Sequence, residues 1–200
     1  MSDMLARLEL EISSCRRCAD RFQATATRHA PRPVLYPSRT ARLLIVGQAP
    51  GARVHASGVP FDDRSGDRLR DWLGVDRATF YDRRRVAIVP MGFCFPGYDA
   101  RGSDLPPPPL CADTWRQQVL DQMPQVELTL LIGQYAQAWH LGKSRKKTLT
   151  ETVAAWRDYG PAYLPMPHPS WRNTAWLKRN PWFEDEVLPW LKAQVALLTG

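Results

Sequence analysis

Arg42-Leu-Leu-Ile-Val-Gly-Gln-Ala-Pro-Gly51 decides the fold, because an apolar run stops there abruptly in a turn built from two glycines and a proline. Leu43 to Val46 is too short for a helix and rich in branched side chains, so it reads as a buried strand of a parallel sheet. Gly47 ends it. In open α/β sheets, ligands bind just beyond the carboxyl ends of the strands, where backbone N–H groups and helix N-termini converge. Gln48 is expected in such a crevice, with Gly47 and Ala49 beside it. An ordinary strand-to-helix turn is the competing reading of the same residues.

Three more runs repeat the pattern. Val86 to Val89 ends in Pro90-Met-Gly-Phe-Cys94, Leu128 to Ile132 breaks at Gly133, and Tyr163 to Met166 ends in Pro167-His168-Pro169-Ser170. Helical spacing of Leu5, Leu8 and Ile12 predicts a first helix over 2–14, with Ser2 as its cap. Further helices are expected after Ser65 as a cap, from Asp113 to Met123, around Tyr135 to Leu141, and from Trp182, with Val187, Leu191, Val195 and Leu198 facing a core. Residues 19–40, with Pro31, Pro33 and Pro37, read as an extended surface loop; Phe95 to Leu110, with four consecutive prolines, reads as a stiff, donor-poor one. Four strands alternating with helices predict a three-layer α/β/α fold around a central four-stranded, mainly parallel sheet. No linker or repeat divides the chain, so 1–200 reads as a single domain.

At 44% hydrophobic residues, 200 positions suffice for a substantial core. Lys and Arg number 27 against 20 Asp and Glu, a surplus of +7 that attracts polyanions and makes nucleic acid the natural partner. The run Lys143-Ser-Arg-Lys-Lys147 is either a solvated loop or a phosphate contact through Lys146 and Lys147. No apolar run approaches the about 20 residues of a membrane span. Asp3, Glu9 and Glu11 stand where a signal peptide would have a basic head and an apolar body, so a cytoplasmic location without membrane contact is expected.

Cysteines of a cytoplasmic protein are more often free or metal-bound than paired. Cys15 and Cys18 form a C-x2-C pair, and Cys94 and Cys111 flank the proline-rich segment. Four thiolates suit zinc or an iron–sulfur cluster, and spacing alone does not choose; buried, unliganded thiols are the third reading.

The order of these pieces, C-x2-C, a strand ending GQAPG, Gly58-Val-Pro-Phe61, a strand with Cys94, Cys111, and His168-Pro-Ser170, resembles the iron–sulfur uracil-DNA glycosylases of bacteria and archaea. The resemblance spans roughly residues 10–195 and rests on the order of the motifs. It implies a monomeric, monofunctional repair hydrolase acting on DNA with a damaged base, uracil or a related deaminated base, which it flips out of the duplex. It also implies a [4Fe–4S] cluster on Cys15, Cys18, Cys94 and Cys111, which favours iron over zinc. Phe61 becomes the ring that stacks on the base. His168 becomes the donor to the base oxygen as charge builds there, with Gln48, Gly47, Ala49 and Ser170 lining the same pocket. Trp171 and Arg172 become DNA contacts, in an aromatic and basic run continuing through Trp176, Lys178 and Arg179; Trp176 and Trp182 read equally as packing residues.

Two departures matter. The family usually has an acid in the second position of its first motif, where this chain has Gln48. A related branch lacks that acid and carries an aspartate after the stacking Phe, in a D-x-S-G context that Asp63 matches. Such a carboxylate would orient water or meet a sugar cation. Capping a helix is the other reading of Asp63, and Asp62 is the alternative for the same task. Pro90 stands where many relatives read the base edge with asparagine, so the substrate range stays open. A catalytically silent nucleic-acid-binding module with the same fold and cluster is the rival function.

Overall fold

The computed structural model describes residues 4–200. The four expected strands are present: β1 (Leu43–Val46), β2 (Val86–Ile88), β3 (Leu128–Ile132) and β4 (Tyr163–Met166). They form one parallel sheet in the order β2-β1-β3-β4, with Leu43 opposite Val86 on one side and Leu128 on the other. Every residue of β1, β2 and β3 is buried, as a sheet covered on both faces requires.

Strand alternation assigns each β1 side chain to one of two cores. Leu43 and Ile45 pack with Leu69, Trp72, Phe183 and Leu191, from the helix Arg64–Leu73 and the C-terminal helical segment. Leu44 and Val46 point to the other face, with Leu8, Ile12, Val119 and Ala136. The result is the three-layer arrangement that the alternation of elements implies. Among the described residues, no helix is long and apolar enough to cross a membrane.

Several boundaries differ from expectation. The first helix runs Met4–Ser13, and the proposed Ser2 cap lies outside the described residues. Residues 19–40 do not simply loop over the surface. After a short helix, Ala19–Gln23, the chain extends along β2, where the Tyr36 and Ile88 amides and carbonyls exchange hydrogen bonds of 2.7 and 2.8 Å. This antiparallel bridge covers the β2 edge, which would otherwise present unpaired backbone. At the opposite edge Pro165 sits in β4, where a missing N–H does no harm.

The helix expected from Asp113 starts at Pro109, since the last proline of the run takes a first-turn position that needs no N–H donor. It continues through a wide π turn, Ala112–Arg116, to Leu120. The closing helix also opens with such a turn, Phe183–Val187, before Leu188–Thr199. Ser65 is not a cap. Asp63 caps the helix Arg64–Leu73, its Oδ1 accepting from the Gly66 N–H at 2.9 Å.

Candidate active site and thiol cavity

β1 ends at Gly47, β2 leads into Pro90 and β4 into His168, so the three motifs open onto one cleft beyond the strand carboxyl ends. Gln48, Ala49, Phe61, Asp63 and His168 all line it, as do Ser65, Pro90 and Asp104. β1 is where the strand order reverses, with β2 on one side and β3 on the other, and crevices form at such points. Gly133 ends β3 at φ 81° and turns its chain into the helix Gln134–Leu141, away from the cleft.

Phe61 is held in an unusual backbone state. Its φ is 54°, a left-handed conformation uncommon for a bulky residue. Three contacts maintain it. Tyr81 donates its hydroxyl to the Pro60 carbonyl at 3.0 Å, the ring meets Phe80 edge-on at 6.2 Å, and Gly66 lies directly against the Phe61 carbonyl. The ring rests on Gly47, where an added Cβ would stand 3.3 Å from Cζ. Its neighbours diverge: Asp62 turns to an ion pair with Arg77 at 3.1 Å, while Asp63 faces the cleft. One oxygen of Asp63 already serves as the helix cap, so the capping and pocket readings of this residue hold together.

His168 is positioned by its own turn. Its Nδ1 accepts from the Ser170 N–H at 3.1 Å, and its carbonyl accepts from Asn173 at 2.7 Å. Burial holds the imidazole below its ordinary pKa, against the pull of Asp63, so the ring is neutral near neutral pH. With Nδ1 accepting, the single proton sits on Nε2. Ser170 itself lies in the adjoining cleft with Arg172 and Asn173, and its carbonyl accepts from Arg68 at 3.2 Å.

The expected DNA contacts do not all gather here. Trp171 is 70% exposed and lies under the Arg172 guanidinium, 5.9 Å from its centroid. Trp176 donates to Thr150 at 2.8 Å and packs against Trp182 and Phe183, so Trp176 and Trp182 are packing residues. Lys146 pairs with Asp158 at 3.0 Å, and neither residue lines the cleft. Lys147 is exposed next to it.

Cys15, Cys18, Cys94 and Cys111 line a second, mostly apolar cavity with Ile12, Phe22, Phe93 and Trp115. Burial and the neighbouring Cys111 push the Cys94 thiol up to about 12; burial pushes Cys111 to about 11. Cys18 is also raised, by burial and by Cys15. Among the described residues, no three His, Cys, Asp or Glu side chains are arranged to hold a single metal ion. The four cysteines line one shared volume.

Six residues join the two sites. In the tail Val89–Cys94, the Val89, Met91 and Gly92 amides each donate at 2.9 Å to Ile45, Gly47 and Gln48, while the Phe93 carbonyl accepts from Val34 at 2.7 Å. The fully buried Arg116 donates to the Val89 and Pro90 carbonyls at 3.2 and 3.0 Å and reaches His140 Nε2 at 2.8 Å. Burial pulls its guanidinium down to about 9 and His140 down to about 3, which keeps that imidazole an acceptor. Pro90 therefore offers the cleft an apolar wall, with no N–H and its carbonyl already engaged.

Residues 33–192 match the family described as the uracil DNA glycosylase superfamily. That span contains all four strands, the whole cleft, and Cys94 and Cys111, while Cys15 and Cys18 precede it. The chain belongs to the uracil DNA glycosylase superfamily.

Proposed function

We propose that the protein is a monofunctional DNA glycosylase that removes uracil or a related deaminated base from DNA. The observation that carries this reading is the fixed tautomer of His168, which leaves a neutral Nε2–H donor in the cleft that Phe61 also lines. Breaking the bond between the sugar and the base nitrogen places negative charge on the departing base and positive charge on the sugar. The Nε2–H meets the first charge on the base oxygen, and the Asp63 carboxylate meets the second. The flipped base stacks on Phe61 above Gly47. No lysine lines the cleft among the described residues, so water, and not an amine, is the nucleophile this site favours. A panel of single-lesion oligonucleotides, incubated with protein and then cleaved with alkali at abasic sites, tests this. Scission at one lesion supports it; gel retention without scission on every lesion identifies a silent binding module.

The thiol cavity is the candidate seat of an iron–sulfur cluster, because four half-buried cysteines line one apolar volume together. Cys15, Cys18, Cys94 and Cys111 would hold it, and when bound it would supply a rigid cross-link between the N-terminal helices and the tail of β2. Positive charge there would offset the burial that now opposes thiolate formation. Anaerobically purified protein is expected to be brown and to contain iron and sulfide. Colourless protein with stoichiometric zinc would overturn the assignment. Cys94→Ser should lose the colour and melt at lower temperature, because ligation is coupled to folding.

For DNA, Arg172 beside the exposed Trp171 is the phosphate contact the structure favours. Arg172→Ala should reduce the slope of log affinity against log salt by about 0.9, and equally for damaged and undamaged DNA. An unchanged slope would remove Arg172 from the interface.

A further inference from the structure

We propose that Asp104 is a second carboxylate of the reaction, the one that directs the attacking water, while Asp63 meets the sugar cation. This rests on the glycosylase reading above.

Asp104 arrives from the stiff loop after Cys94, outside the cleft motifs, yet it lines both the base cleft and the adjoining cleft that holds Ser170 and Arg172. Gln48, Ala49, Pro50 and His168 share that junction with it. Its position is built. Tyr98 and Asp104 form an antiparallel bridge, the Asp99 carboxylate accepts from the Arg101 and Ser103 amides at 2.8 and 2.9 Å, and the Leu105 N–H donates to Gly97 at 2.9 Å. A small closed hairpin thus presents one carboxylate at the cleft.

The two acids differ in what their oxygens already do. Asp63 Oδ1 is occupied by the Gly66 N–H, whereas Asp104 is exposed at the cleft mouth and meets Arg172 and Asp63 through space and not by hydrogen bonds. A free pair of oxygens can hold a water by one and receive its proton by the other. The charged groups facing Asp104 are Arg172 and Asp63, with His168 across the junction. Although Asp104 is exposed, partial desolvation at the cleft mouth raises its carboxyl above the ordinary aspartate value, Arg172 opposes this, and Asp63 adds to it. A raised carboxyl is the better proton acceptor.

The step balances as follows. The bond from C1′ to the base nitrogen breaks and its electron pair leaves with the base, whose oxygen is held by His168 Nε2–H. Water oxygen then bonds to C1′, and its proton passes to Asp104 and on to solvent or the departed base anion. Nothing is oxidised or reduced.

The test is single-turnover base release by Asp104→Asn on the oligonucleotide the wild type cuts, with DNA affinity and melting temperature measured alongside. The rate is expected to fall by about 10² or more, with affinity within a factor of about two and an unchanged melting temperature, because the side chain supports no hydrogen bond. In the wild type, rate should fall as pH drops through the raised Asp104 value; Asp104→Asn should lose that acid limb, and Asp104→Glu should recover part of the rate. If Asp104→Asn turns over at the wild-type rate with the acid limb intact, this assignment fails while the glycosylase reading stands. A wild type inert on the whole panel overturns both.

Discussion

Gly66→Ala is expected to abolish base release and to lower the melting temperature by about 10 °C, the largest effect expected from a Cβ added at any described glycine. A Cβ at this position would stand 1.8 Å from the Phe61 carbonyl oxygen, 2.7 Å from its carbon and 2.9 Å from its Cβ. The obstacle is backbone, so no rotamer change relieves it. Either the helix Arg64–Leu73 retreats, which breaks the Asp63 cap, or Phe61 leaves its left-handed conformation and its seat on Gly47. Overpacking of this severity costs about 4 kcal/mol, and each kcal/mol lowers the melting temperature of a chain this size by about 2–4 °C. Thermal melting with single-turnover kinetics on the same preparation measures it. A variant that melts with the wild type would show that the contact yields easily, and that Phe61 is not clamped.

Loss of transition-state charge stabilisation comes next. His168→Ala removes the Nε2–H donor, and single-turnover release should slow by about 10²–10³, most for bases that leave with difficulty. Asp63→Asn should cost about 10². Asparagine is as good a helix cap as aspartate, so this change removes charge while sparing the Gly66 hydrogen bond, and folding should be nearly unaffected. DNA affinity should barely change in either variant, since both groups act on charges that develop only as the bond breaks. Asp62→Asn is the control, because Asp62 is spent on Arg77. If Asp62→Asn is slow and Asp63→Asn is not, the two neighbours have been exchanged.

The sheet was legible because each strand is a short apolar run that stops at glycine or proline, and the burial of β1 to β3 on both faces leaves no polar alternation to mislead. Ends were harder. Pro109 reads as loop in sequence but suits the first turn of a helix, and Ser65 competes as a cap with Asp63, two residues earlier. The cleft residues at strand ends were visible for the same reason as the strands. Asp104 was not, since it sits in a segment without periodicity and reaches the cleft through a hairpin closed by Asp99. Nor does local sequence tell Asp62 from Asp63; Arg77, on the next helix, draws one of them outward. Arg116 sits in a helix like many surface arginines, and only the carbonyls of Val89 and Pro90 show that it belongs inside.

The tail Val89–Cys94 sets where this chain tolerates changes of length. Pro90 forms a wall of one site and Cys94 lines the other, and the amides between them are tied to Gly47 and Gln48. One inserted or deleted residue would slide a wall of the base cleft against the thiol cavity, however mild its side chain. At the hairpin tip, by contrast, Gly102 has open space around it, and both it and Arg101 are exposed. Additions there leave the Val89–Cys94 tail and the thiol cavity in register, and their cost falls instead on the Asp99 contacts that set Asp104 at the cleft.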